Sequence, residues 1–467
     1  MTQKLLIQGG RVVDGPAHAC DVLVEDGIIR AIAPSIKADD AEIVDATGML
    51  VAPGFVDTHR HLWQTSIRGV AADWSLVEYI RFIRLGFATA YRPEDVWISN
   101  HVGALEALDA GITTVCDYCH IIRSPEHADA GIEGLDAAGI RGQFYYGFYD
   151  VPTEPPVFAD HASRVRHAGQ FFEQHFKSRD ASALVSMGLA LTEFGLVSIE
   201  QTAAEIAIAR ELDAPITLHM GTLSTPDGVS RLHKAGLLGE RMLHVHCNAS
   251  TDAELQLIAD SGGTISITPE TELQMGMGYP VTNRALAVGL KPTIGIDIVS
   301  DYSGDMLAQM RLTLQTARAI DNQKVLDAGR MPPEIDLKVA DAYRFATSYG
   351  AEAIGLGSQI GSLEVGKQAD IILIRQDGIH HAPRTADPIA SIVLQTRPSD
   401  IDSVFVAGVA RKRHGALVDV DLAAVTARAQ ASADHLAAAF ETAMANTENT
   451  STRSVYASEV ARATRTD

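Results

Sequence analysis

The spacing of apolar positions changes character twice along the chain. Over the first fifty residues, short apolar runs (Leu5-Leu6-Ile7, Val12-Val13, Val22-Leu23-Val24, Ile28-Ile29) are punctuated by Gly9-Gly10 and Asp26-Gly27. An Asp-Gly pair between two apolar runs predicts a tight hairpin, so this segment reads as a meander of strands. A sheet this small cannot bury both its faces and needs a partner. Beyond it the texture becomes short apolar stretches near 50–55, 113–117, 143–149, 185–191, 216–220, 242–246, 263–268 and 293–298. Helical patterns such as 202–212 and 252–259 lie between them. Strands apolar on both faces, with Gly or Pro beside them, are the mark of a parallel sheet covered by helices. Eight such units over roughly 300 residues fit a (β/α)8 barrel, although the period alone also permits a doubly wound sheet. Two further strands, at 371–374 and 404–408, are placed to complete the sheet begun at the start of the chain. An Ala-rich helix over 421–445 and a polar, frayed tail follow. The helix either supports a subunit contact or packs on its own barrel.

Composition narrows the class. Of 467 residues 46% are apolar, and no long charge-free segment suggests a membrane span. A net charge of −21 disfavours nucleic acid and anionic membranes as partners. Four cysteines and no signal-like apolar start suit a reducing cytoplasm. Cys116 and Cys119 form a lone C-x-x-C, whereas a zinc ribbon needs two.

The chemistry gathers at strand ends. Side chains two apart on a strand point the same way, so His59 and His61 offer two imidazoles to one side. At the carboxyl end of a barrel strand that side is the central cavity, and paired imidazoles suit a borderline divalent metal. Later apolar runs end in His219, in His244 and His246, and in Asp297. One such residue is commonly a core histidine or a helix N-cap. Four strand ends that each finish in His or Asp predict a joint metal site.

Around the first pair the chain reads Ala-Pro-Gly-Phe-Val-Asp-Thr-His-Arg-His, then Leu62 and Ile67-Arg68-Gly69. Gly111-Ile112-Thr113-Thr114-Val115, and the stretch from Ala346-Thr347 through Gly350-Ala351 to Gly361-Ser362-Leu363-Glu364-Val365-Gly366-Lys367-Gln368-Ala369-Asp370, complete a set of phrases. Taken together over residues 4 to 415, they resemble the amidohydrolase superfamily, and within it the cytosine deaminase, guanine deaminase and triazine hydrolase branch. The resemblance implies an α/β fold, a distorted (β/α)8 TIM barrel with a small β-sandwich domain built from both chain ends. The expected limits are 53–358 for the catalytic barrel, 1–52 with 359–415 for the sandwich, and 416–467 for a C-terminal helix and tail. It also implies His59, His61, His219 and Asp297 as ligands of one divalent metal ion. Zinc is the first expectation, with iron, cobalt or manganese as alternatives. His246 matches a histidine that contacts the hydrolytic water or the substrate; His244 is expected to point into the same cavity. Family members are often dimers or larger, so a homo-oligomer is expected.

A divalent cation lowers the pKa of bound water from ~15.7 toward ~7. Asp297 would accept that water's proton and return it to the leaving group, while His246 would hold the developing oxyanion. One position departs from the branch. Its ring deaminases carry H-x-x-E, where the Glu protonates a ring nitrogen; here the stretch is His219-Met220-Gly221-Thr222. The usual Gly-Thr-Asp-Ser is likewise Gly295-Ile296-Asp297-Ile298. Glu270, Glu272 and Asp301 are carboxylates that a loop could bring to the cavity in place of the missing acid. Trp63, Gln64 and His120 are expected at the substrate, and Met275, in the Met/Gly-rich 273–278 stretch, on an apolar wall suited to an aromatic group.

The expected activity is hydrolysis of a non-peptide C–N bond of amide, urea or carbamate type in a small, nitrogen-containing aromatic substrate. Thr222 favours it, since a carbonyl substrate needs no ring acid. The alternative is a ring aminohydrolase or dehalogenase acting on purines, pyrimidines or triazines. A catalytically dead binding or scaffold protein would be expected to have lost ligands, and all four are present.

Overall fold

The computed structural model describes residues 4–447 apart from 14, 16–17, 152–155, 181 and 223–225; the expected C-terminal tail lies outside them. Its centre is a sheet of β1 (Phe55–Arg60), β2 (Ile112–Cys119), β3 (Arg141–Gly147), β4 (Val185–Ala190), β5 (Ile216–Met220), β6 (Met242–His246), β7 (Thr264–Ile267) and β8 (Pro292–Ile294). Neighbours follow chain order and pair in parallel. A bridge from Arg60 to Asp297 brings the chain after β8 back to β1, so the sheet closes into a distorted (β/α)8 barrel.

The apolar stretch at 50–55, read as one strand, is divided. Leu50–Pro53 belongs to the other sheet and only Phe55 onward enters the barrel. The break falls at Gly54, where a Cβ would stand 2.1 Å from the Thr113 hydroxyl of β2. With proline before it and no room for a side chain, this is where the backbone leaves one sheet for the next.

The second sheet has nine strands and draws on both chain ends. Leu50–Pro53 pairs antiparallel with Ile371–Ile374, and this pairing joins the early strands to the late ones. The first strand, Lys4–Val12, pairs along its early half with Cys20–Glu25 and Glu42–Asp45, and at Arg11 and Val12 with Leu50–Pro53. Gly9, at φ +73°, supplies the left-handed step between the two halves. Leu5, Ile7, Val22, Val24, Ile371, Leu373 and Phe405 share one buried core, which supplies the sandwich layer the N-terminal strands lacked.

Barrel and sandwich are pinned by a buried ion pair. Arg141 of β3 donates through Nε and Nη2 to the two carboxylate oxygens of Asp370, at 2.8 and 2.9 Å. Asp370 also accepts from the Ala407 N–H at 2.8 Å. The helix Leu422–Thr447 packs on its own barrel: Ser432 donates to Asp95 at 2.7 Å and Phe440 stacks on Phe87 with centroids 4.1 Å apart. Among the described residues no helix is long and apolar enough to cross a membrane.

Removing one partner of a buried pair leaves an uncompensated charge, at a cost of ~3–5 kcal/mol. Asp370→Ala is therefore expected to lower unfolding stability by about that amount in denaturant titrations. A loss below ~1 kcal/mol would show that the pair behaves as a solvated surface bridge.

Candidate active site

β1 and the turn after β8 build the floor together. The His61 N–H donates to the Asp297 carbonyl at 2.7 Å, and the Asp297 N–H donates to the His59 carbonyl at 2.8 Å. Buried Asp57 accepts from the Ile296 and His59 N–H groups at 3.0 and 3.3 Å, locking the seam from below. Gly295 permits the approach, since a Cβ there would lie 2.7 Å from the Cβ and carbonyl oxygen of His59. Asp297 itself has φ +68° and His246 φ +71°. Such left-handed turns cost a non-glycine residue on the order of 1 kcal/mol and cluster where a side chain must be aimed at a site.

The aimed atoms converge. His59 Nε2 lies 3.2 Å from Asp297 Oδ1 and 3.3 Å from His219 Nε2, and His61 Nε2 lies 3.4 Å from the same Asp297 oxygen. Nitrogen and oxygen ligands at ~2.0–2.1 Å around a tetrahedral ion sit ~3.3 Å apart, so the donor spacing fits one divalent cation. Among the described residues two fully buried triples are geometrically competent, His59/His61/Asp297 and His59/His219/His246.

The far sides of three of the rings are fastened. His61 Nδ1 donates to the Tyr118 carbonyl oxygen at 2.8 Å, and His219 Nδ1 to Glu193 at 2.8 Å. His246 Nδ1 faces Thr268 at 3.0 Å and Glu272 at 3.4 Å. Burial lowers the pKa of His59 to about 4, and burial with the charge of His59 lowers that of His61 well below its ordinary value. Both are therefore neutral, the form that ligates a metal. Burial alone would raise the pKa of Asp297, but the hydrogen bond from His59, with the other imidazoles around it, holds it far below the carboxylate range. Burial likewise opposes ionisation of Glu193, yet the His219 and Arg84 charges hold it at about 2. At His246 burial also lowers the pKa, but Glu272, Asp297 and Glu193 more than offset this.

Above the floor opens a narrow cleft bounded by His61, Glu193, His219, His246 and Asp297. Of the residues expected at the substrate, His120, Thr222 and Met275 line it. His120 stacks on His61, with centroids 4.1 Å apart and planes 8° from parallel. Trp63, Gln64 and Glu270 are not on the wall. Trp63 is fully buried and donates from Nε1 to His120 Nδ1 at 2.9 Å, so it orients the ring that is on the wall. Gln64 donates to the Tyr79 hydroxyl at 2.6 Å and plays the same part for Tyr79. Glu270 lies on the helix Pro269–Gln274 and accepts from Gln309 at 2.7 Å; the residue two further on, Glu272, is the one that meets His246. Asp301 is held by Gln274, and His244 donates to the Thr264 carbonyl at 3.2 Å; neither is on the wall.

The sequence reading missed Glu193, Tyr79 and Arg84. Glu193 carried a signal, because Leu-Ala-Leu-Thr-Glu is also an apolar strand run ending in a carboxylate. Tyr79 and Arg84 reach the cleft from the segment between β1 and β2, whose local pattern contains no hint of the approach.

His244 gives a pH test away from the cleft. Its Nε2 is buried without a partner, and burial lowers its pKa from 6.5 to about 4. A base depressed in the fold contributes fully above the unfolded pKa, and that contribution is lost as pH falls from about 6.5 toward 4. Between pH 7 and 5 the wild type should lose ~2 kcal/mol more unfolding stability than His244→Leu. Equal losses in the two proteins would show that His244 stays solvated.

Residues 50–411 match the model of the Amidohydrolase family. A 5-methylthioadenosine/S-adenosylhomocysteine deaminase of Pyrococcus furiosus is 27% identical over 421 residues, 86% of this chain and 94% of its own. A 5'-deoxyadenosine deaminase of Methanothermobacter thermautotrophicus is 25% identical over 93% of this chain and 99% of its own. The structure of an adenosine deaminase from Xanthomonas campestris with bound zinc superposes with a TM-score of 0.83 at 26% identity, over 93% of this chain and 99% of that one. An atrazine chlorohydrolase of Arthrobacter aurescens complexed with zinc, at 22% identity and TM-score 0.78 over 92% of this chain and 100% of that one, shares the fold. With the family's motifs, its barrel and its sandwich all present, the chain belongs to the amidohydrolase family and is a hydrolase of carbon–nitrogen bonds other than peptide bonds.

Proposed function

We propose that this enzyme is a single-metal aminohydrolase that removes the exocyclic amino group of a purine-type ring, with adenine nucleosides as the substrate class. The observation that carries the chemistry is the cleft floor: donors 3.2–3.4 Å apart, with His246 beside them and anchored through Nδ1. The substrate class follows from the relatives, which are deaminases of adenine compounds. His59, His61, His219 and Asp297 would hold the ion, zinc in the first place. When bound, that ion supplies hydroxide from water near neutral pH.

Asp297, ionised at the floor, accepts the water's proton and delivers it to the departing amine. His246, held on its outer nitrogen, presents its inner nitrogen to the ring and steadies the charge that develops on attack. The cleft wall of Leu76, Tyr79, Ile80, Met275 and Met277 suits a flat apolar face. Thr222 also lines that wall, where the branch places its acid, and offers a hydrogen bond without a titratable proton. That residue favours a second reading, hydrolysis of an amide, urea or carbamate, whose carbonyl needs no ring protonation. A cytoplasmic location, in keeping with four free buried cysteines, and assembly into a homo-oligomer belong to the same proposal.

Metal analysis of purified protein should give about one divalent ion at this site, lost in His59→Ala or Asp297→Asn. Full metal in both variants would overturn the ligand assignment. Ammonia release should be seen with adenosine, 5'-deoxyadenosine or their thioether analogues, and fall ~10²–10³-fold in His246→Ala with metal retained. Turnover confined to anilides, aryl ureas or carbamates would establish the second reading instead.

A further inference from the structure

A second convergence of imidazoles lies outside the barrel cleft. His380 and His381 occupy the turn Ile379–His381, which follows the sandwich strand Ile371–Ile374, and Asp400 ends the turn leading into Ile401–Val406. Adjacent residues of a tight helical turn ordinarily point in different directions. Here both rings face one carboxylate oxygen: His380 Nε2 and His381 Nε2 lie 2.8 and 3.3 Å from Asp400 Oδ2. The ring centroids are 4.3 Å apart. Gly378 makes the fold-back possible, since a Cβ there would stand 2.5 Å from the His380 ring.

The same oxygen also accepts the Arg397 N–H, at 2.9 Å. Three donors on one oxygen exceed its two lone pairs, so hydrogen bonding alone serves the arrangement poorly. A cation between the rings and the carboxylate would use both imidazole lone pairs and leave Asp400 its bond to Arg397. His381 and Asp400 are buried, His380 is half-buried at the edge, and all three offer donor atoms within 4.8 Å of one another. Two imidazoles, one carboxylate and an open side for water make a ligand set for a borderline divalent ion.

We propose that His380, His381 and Asp400 form a second divalent-cation site, of the zinc, cobalt or nickel class, that ties the turn after Ile371–Ile374 to the start of Ile401–Val406. It is structural: none of its residues lines the catalytic cleft.

The test is a difference between variants. Full-length protein stripped with chelator is titrated with Co²⁺ or Zn²⁺, following visible absorption for cobalt and bound metal after dialysis for both. His380→Asn should hold one equivalent fewer than the wild type, and His59→Ala/His380→Asn one fewer than His59→Ala. Zn²⁺ should also raise the Tm of His59→Ala, and this rise should vanish in the double variant. Identical stoichiometry and Tm response with and without His380 would overturn the proposal, whatever the barrel holds. If His380→Asn fails to fold, Asp400→Asn makes the same comparison, because its amide oxygen still accepts from Arg397.

Discussion

The seam between the first and last barrel strands is the constraint on which the site depends. Across it the Asp297 N–H donates to the His59 carbonyl and the Asp297 carbonyl accepts from the His61 N–H, and the side chains of His59 and Asp297 stand 3.2 Å apart. Closing the barrel and bringing these donors together are therefore one event. Gly295 and Asp57 serve both: one leaves room for the strands to meet, and the other satisfies the N–H groups exposed where pairing becomes irregular. A seam displaced by one residue would turn His59 and His61 away from the cavity.

Imidazoles gathered this closely need their outer nitrogens committed, or they would rotate and pair among themselves. The commitments come from three separate elements: the Tyr118 carbonyl for His61, Glu193 for His219, and Thr268 with Glu272 for His246. Each fixes a tautomer and an orientation, so the inner nitrogens converge. The two carboxylates differ in setting: Glu193 is ionised and lines the cleft, whereas Glu272 is fully buried behind His246.

A different layer covers the floor. Leu76, Tyr79, Ile80 and Arg84 reach over the cleft from the segment between β1 and β2, and Met275 and Met277 from the loop after β7. Gly86 and Phe87, just past that first segment, pack against Phe440 of the C-terminal helix, which thereby braces the cleft's covering. The floor gathers the polar donors, and this covering shapes the space above them.

The barrel and the residues of its floor were legible in the chain because both depend on local order. Short apolar runs ending in His59 and His61, His219, His246 and Asp297 give strand identity and facing at once, since alternation on a strand is a matter of sequence. The family phrases added the sandwich and the ligand roles. What the sequence did not decide concerns residues brought together by packing. Trp63 and Gln64 follow His61 in the chain, but they turn into the core and meet His120 and Tyr79. Glu270 and Glu272 are equally plausible by spacing, and only the helix after Thr268 turns one toward Gln309 and the other toward His246. Glu193 and Arg84 became part of the site because barrel closure brings distant strand ends and loops to one cavity. Period determines which way a strand residue faces; tertiary structure alone decides what stands opposite it.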